Sequence, residues 1–125
     1  MSENKPRLGS GDVTITLNDK EYTLRPTLKA AMILSRTSGG IRGTIDAVMQ
    51  MNLDVITTVI KQGLGPNIVR QFKQEQLEEA IWEAGLTDTS GGILGKCVEY
   101  LHVLANGGRP INQNREEDQD PLTLQ

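Results

Sequence analysis

The chain has 125 residues, with 13 Lys/Arg against 16 Asp/Glu, one histidine and a net charge of −3. Such a length fits one domain with one modest core, and this charge argues against nucleic acid, whose phosphates need clustered cations. A single cysteine, Cys97, leaves no disulfide within the chain and fits a reducing cytosol. The longest apolar run, Ala30 to Leu34, is far too short to cross a bilayer, so no membrane partner is expected.

Residues 1–11 are polar and punctuated by glycine and proline, with no apolar run that could act as a signal h-region, and read as a flexible arm. From Asp12 to Pro26 the pattern has a period of two. Val13, Ile15 and Leu17 alternate with Thr14, Thr16 and Asn18, and Tyr22 and Leu24 alternate with Glu21, Thr23 and Arg25. This predicts a β-hairpin with one apolar and one wet face, turning at Asp19-Lys20 and pairing Leu17 with Tyr22 and Ile15 with Leu24. A lone hairpin is marginal in water, so its apolar face needs a helical layer.

Helical punctuation follows. The segment TLKAAMILSR, starting at Pro26 or Thr27, puts Leu28, Ala31, Met32 and Ser35 on one face, widened by Leu34, and is expected to be the central helix packed on the hairpin. Ser38 or Thr37 is positioned to cap a helix over 41–51 with Ile41, Ile45, Val48 and Met49 inward. Asn52 is positioned to cap a third, over 53–63, with Val55, Ile56, Val59 and Ile60 on one stripe and Gly63, Gly65 and Pro66 as its stop. The stretch NIVRQFK reads either as a helical turn or as a loop that tucks Ile68 and Phe72 inward. A fourth clear helix, Gln74 to Ala84, gathers Leu77, Ala80, Ile81 and Ala84, with Gly85 at its end and Glu75, Glu78, Glu79 and Glu83 on the wet face. The fifth, from near Ser90 to Ala105, turns Ile93, Leu94, Cys97, Leu101 and Leu104 inward. Residues 107–125 lack periodicity, carry Glu116, Glu117, Asp118 and Asp120, and read as a disordered acidic tail. The expected fold class is α+β: an N-terminal hairpin packed on a small bundle of about five short helices, with a domain over 12–106.

Chemistry-bearing patterns are scarce. TSGGIRG at Thr37 and TSGGILG at Thr89 differ at one position and both open helices, but neither has the lysine or the preceding strand of a phosphate-binding loop. They read as local helix-start chemistry. Glu99 and His102 have the Glu-x-x-His spacing of di-metal bundles, which need a second such pair that the chain lacks. Cys97 and His102 sit roughly 140° apart around a helix, a poor nucleophile–base pair. A helix-turn-helix reading of 41–63 founders on its second helix, which offers only Lys61 and Gln62. No catalytic residue, cofactor or metal site is expected, and an enzyme is not.

The stretch VTITLNDKEYTLRPTLKAAMILSRTSGGIRGTIDAVMQMNLDVITTVIKQGL, with the Glu-rich helix ending AIWEAGL, resembles the tail assembly chaperones of long-tailed phages. Within these it is most similar to the gene transfer agent tail-tube-associated subgroup. The resemblance covers residues 13 to 86 and lies in pattern and order: a hairpin of the form V-x-I-x-L, turn, x-Y-x-L, then a helix, a glycine-containing break and a second helix. The fifth helix and the acidic tail fall outside it. It implies a non-enzymatic factor of the host bacterial cytoplasm, as from a prophage or gene transfer agent, that coats the tape measure protein and helps recruit the tail tube protein. The alternative from the residues alone is a small cytosolic protein-interaction or regulatory module.

A client-shielding surface calls for an exposed apolar groove, and the residues expected to form it are Ile68, Phe72, Trp82 and Met51. Apolar residues at 64–73 sit among helix breakers with no helical face to account for them. Met32 and Met49 are expected to fill the core instead.

Overall fold

A computed structural model describes residues 10–73, 75–87 and 92–110. It shows the α+β architecture: an antiparallel hairpin of β1 (Val13–Leu17) and β2 (Lys20–Leu24), then α1 (Leu28–Ser35), α2 (Ile41–Met49), α3 (Leu53–Leu64), a short α4 (Pro66–Val69), α5 (Gln76–Ala84) and α6 (Ile93–Ala105). The body includes Gly11 at one end and Gly108 at the other, close together, and a Cβ on Gly11 would lie 2.5 Å from the Gly108 carbonyl oxygen. The rest of the arm and the acidic cluster lie outside the described residues.

The hairpin turns one residue earlier than the period of two suggests. Asn18 and Asp19 both have positive φ, 53° and 65°, the geometry of a type I′ turn. Ile15 therefore pairs with Tyr22, Val13 with Leu24 and Leu17 with Lys20, a shift of two residues from the expected register. Two residues is one full pleat, so every side chain keeps its face and alternation alone cannot choose between the registers. The left-handed tolerance of Asn and Asp decides it. Thr23, on the face expected to be wet, is also buried.

The helical layer on the hairpin is α3, α5 and α6, with α3 against β2 and the other two against β1. The central helix is α3, not α1. Seven of its twelve residues are buried, and Asn52 caps it by accepting from the Val55 N–H at 3.2 Å. Gly63, within α3, brings the helix backbone onto the strand. A Cβ there would stand 2.8 Å from Leu24 Cβ, and the Gly63 carbonyl accepts from the Arg25 N–H at 2.9 Å.

Helix α1 corrects a second expectation. Thr27 caps it, but Ala30 and Leu34 face inward while Leu28 is 77% exposed and Met32 47%. Its eight residues hold two apolar stripes, and packing against α2, α3 and α6 selects Ala30 and Leu34. Met49 is likewise exposed rather than core-filling.

Neither Ser38 nor Thr37 caps α2. Gly40 occupies that position, and the Thr37 hydroxyl donates back to the Ile33 carbonyl of α1. The side chain that joins the two helices is the buried Thr44, whose hydroxyl lies 3.1, 2.7 and 2.8 Å from the carbonyl oxygens of Leu34, Thr37 and Gly40. Each of these carbonyls also accepts a backbone N–H, Leu34 from Thr37, Thr37 from Gly40 and Gly40 from Thr44, so the hydroxyl adds a second donor at the junction. In α5, Leu77, Ala80 and Ile81 are buried, but the terminal Ala84 is exposed. Tyr100 and Val103 of α6 are buried beyond the expected set, because that helix is apolar around most of its circumference.

Candidate functional site

The four residues expected to form one groove do not converge. Ile68 and Phe72 are half-buried, packed on the core edge, with the Phe72 ring 5.6 Å from that of Tyr22 and tilted by 46°. Trp82 is 66% exposed and Met51 50%. Phe72 shares a hollow of about 380 Å³ with Asn18, Lys20, Tyr22 and the α5 residues Gln76, Glu79 and Glu83. Trp82 falls on the opposite flank of α5, one turn from Glu78. Glu78 receives the Lys61 ammonium at 3.1 Å. Its own backbone N–H, and then Lys61, hold the Glu78 carboxyl below the usual range. Phe72 and Trp82 therefore border different surfaces.

The short α4 and the turn after it form the partition between two hollows. Gln71 and Phe72 line the polar one just described. On the other side, Pro66 and Val69 line a larger hollow of about 560 Å³ between the end of β2, α1 and α3. Its floor is apolar, with Ala30, Ile33, Leu64 and Val69, and Arg25, Lys29 and Lys61 are among its described lining residues. The sequence did not show this hollow, because it depends on which stripe of α1 turns inward. A third, smaller hollow of about 210 Å³ lies beside Leu28 and Ala31, closed by Leu104, Gly107 and Gly108.

Met51 owes its position to the end of α2. Its N–H donates to the Val48 carbonyl at 2.8 Å and the Asn52 N–H donates to Ala47 at 3.1 Å, the paired bonds of a Schellman motif. Met51 sits at the left-handed position of that motif with φ of 64°. At the end of α6 the same pair of bonds, from Gly107 to Leu104 and from Gly108 to Val103, places glycine there instead. A side chain at this position costs about 1 kcal/mol in backbone strain.

The titratable groups weighed for chemistry are apart. Cys97 is fully buried, and burial pushes its thiol up to about 12, far from a reactive thiolate. Glu99 and His102 are exposed on the far side of α6. Among the described residues, no three His, Cys, Asp or Glu side chains are grouped to hold a metal ion. The glycine-rich echo is not a structural repeat: Gly40 has φ of 104° where Gly92 has −64°. A Cβ on Gly43 would strike the Ser38 carbonyl oxygen, whereas Gly95 faces open space. Residues 89–91 of the second copy lie outside the described residues.

No protein-family model matches the chain, and no curated protein or solved structure matches it significantly. No helix among the described residues is long and apolar enough to cross a membrane.

Proposed function

We propose that the chain is a tail assembly chaperone of the long-tailed phage type, which binds the tape measure protein in the bacterial cytoplasm and helps recruit tail-tube subunits. The observation that carries this reading is the set of large apolar side chains left outside a filled core: Leu28, Met32, Met49, Met51 and Trp82. The resemblance over residues 13 to 86 gives these exposed side chains a client.

The physics suits such a client. A tape measure protein is long and helical, and its apolar stripes self-associate unless covered. Exposed methionines adapt to irregular partners through three rotatable bonds, and a helix laid on an apolar surface gains affinity without strict sequence. Many weak contacts along one long client act together through effective concentration, and each remains open to displacement by tube subunits. The strain at Met51 adds support, since an exposed methionine holds a position at which glycine is easier.

The test is co-expression with a tape measure protein, the proposed client. The native chain should raise that protein's soluble fraction, and the variant Met51→Ser/Trp82→Ser, itself folded, should not. An unchanged soluble fraction with the native chain defeats the reading.

A further inference from the structure

Leu28, Ala31 and Leu104 line the hollow of about 210 Å³, with Gly107 and Gly108 beside them. Leu28, the first residue of α1, is 77% exposed there, the least covered of the large apolar side chains among the described residues. Within residues 2–9 the sequence holds one large apolar side chain, Leu8. We infer that this hollow is the docking site of the chain's own N-terminal arm, with Leu8 seated against Leu28, Ala31 and Leu104.

Three observations converge on this occupant. The first is position. Gly11 lies against the rim of the hollow, where a Cβ would stand 2.5 Å from the Gly108 carbonyl oxygen and 2.9 Å from Val103 Cγ1. Gly108 in turn neighbours Pro26, another lining residue, at 3.6 Å from a Cβ on that glycine. Leu8 is three residues upstream of Gly11, a span of up to about 10 Å, and Gly9 gives the intervening chain freedom to turn. The second is size. An apolar cavity of about 150 Å³ holds one benzene molecule, so this hollow takes one aliphatic side chain and is too small for the stripe of a partner helix. The third is the course of the opposite end of the body. Ile111, three residues past Gly108, is the other apolar residue at comparable range. The Arg109 N–H donates to the Asn106 carbonyl at 3.4 Å, and the Asn106 side-chain amide donates to the Arg109 carbonyl at 3.2 Å. These bonds fold the exit back on the residue that caps α6, which leaves Leu8 as the occupant.

A hollow for one side chain binds a free ligand weakly, because so few contacts scarcely offset the freedom lost on association. The tether compensates, since a short linker holds the arm at an effective concentration in the millimolar range. Docked, Leu8 covers Leu28 and withdraws it from the apolar surface open to a partner. A ligand that inserts a side chain between Leu28 and Leu104 must first displace the arm. This inference needs no second protein, so it stands or falls separately from the client reading.

The experiment is NMR on the purified full chain with isotope-labelled methyl groups, alone and mixed equally with unlabelled protein. The expected result is nuclear Overhauser contacts from the Leu8 methyls to those of Ala31 and Leu104 within one chain. Amide exchange gives a second readout. The N–H groups of Gly107 and Gly108 donate to Leu104 and Val103 beside the hollow. They should exchange severalfold faster in Leu8→Ser, with the methyl shifts of the core residues Val59 and Ile60 unchanged, and should keep their native rates in Ile111→Ser. No contact from Leu8 to those methyls, contacts made by Ile111 in its place, contacts only between labelled and unlabelled chains, or exchange that Leu8→Ser leaves unmoved or that Ile111→Ser quickens as much each overturn the inference.

Discussion

The Tyr100 hydroxyl donates a 2.7 Å hydrogen bond to the carbonyl oxygen of Arg25, 75 residues earlier in the chain. The N–H of the same Arg25 donates to Gly63 at 2.9 Å. The exit of β2 is thus held on one side by α3 and on the other by α6. Tyr100→Phe removes one of these bonds and keeps the ring. It should cost about 1–2 kcal/mol in urea denaturation, the price of a partly buried carbonyl left without its donor.

Gly63 and Gly95 should respond to alanine with opposite signs. Both lie inside helices, where alanine gains about 0.5–1 kcal/mol over glycine. At Gly63 the added methyl meets Leu24 within 3 Å on a fully buried contact, so overpacking wins and Gly63→Ala should destabilise by about 1–3 kcal/mol. Gly95 has nothing within 4 Å, and Gly95→Ala should raise the melting temperature.

Thr44→Val keeps the shape and removes the hydroxyl. The carbonyls of Leu34, Thr37 and Gly40 then lose their shared donor inside the α1–α2 junction. Each keeps its backbone donor, so a loss of about 0.5–1.5 kcal/mol is expected, while Thr58→Val, whose hydroxyl bond is exposed, should cost under about 0.5 kcal/mol.

Stability should decline in alkali. Burial raises the Cys97 thiol from 9.0 to about 12; Tyr100 is raised as well, chiefly by burial and then by the nearby Asp12 carboxylate. Both groups stay protonated in the fold while the unfolded chain releases its protons first. Their contribution is therefore complete below pH 9 and is lost as pH rises through the folded values. The thiol alone gives a slope of about 1.4 kcal/mol per pH unit above pH 9. Urea titrations between about pH 8 and pH 10 should show the native chain losing stability and Cys97→Ala losing less of it.

Met51→Gly relaxes the left-handed position at the end of α2 and should stabilise the chain by about 0.5–1 kcal/mol. If Met51 touches a client, the same variant binds that client less well, so stability and capture should move in opposite directions. A variant that gains stability and keeps full capture removes Met51 from the binding surface.

The sequence revealed most where one face was unambiguous. Helix α3 carries a single apolar stripe and a capping asparagine, and the hairpin alternates cleanly, so both were legible. Helix α1 was not, because Leu28–Met32 and Ala30–Leu34 are equally plausible stripes and only tertiary packing separates them. Tyr100 and Val103 escaped for a related reason, since a helix apolar almost all round announces no preferred face. The turn register was hidden by the two-residue symmetry of the pleat. The proposed groove failed on a rotation: one residue step around α5 separates the flank of Glu83 from that of Trp82, and no pattern in the sequence says which flank faces the Phe72 turn.

The bond from Tyr100 to Arg25 also sets a schedule for the nascent chain. Among the described elements the hairpin precedes every helix that covers it, so Val13, Ile15, Leu17 and Leu24 emerge before α3, α5 and α6. Contacts between such distant segments form late. Helix α3 can cover β2 as soon as it emerges, but the β1 side of the ribbon stays bare until α5 and α6 follow, and that interval is when the nascent hairpin is most open to aggregation.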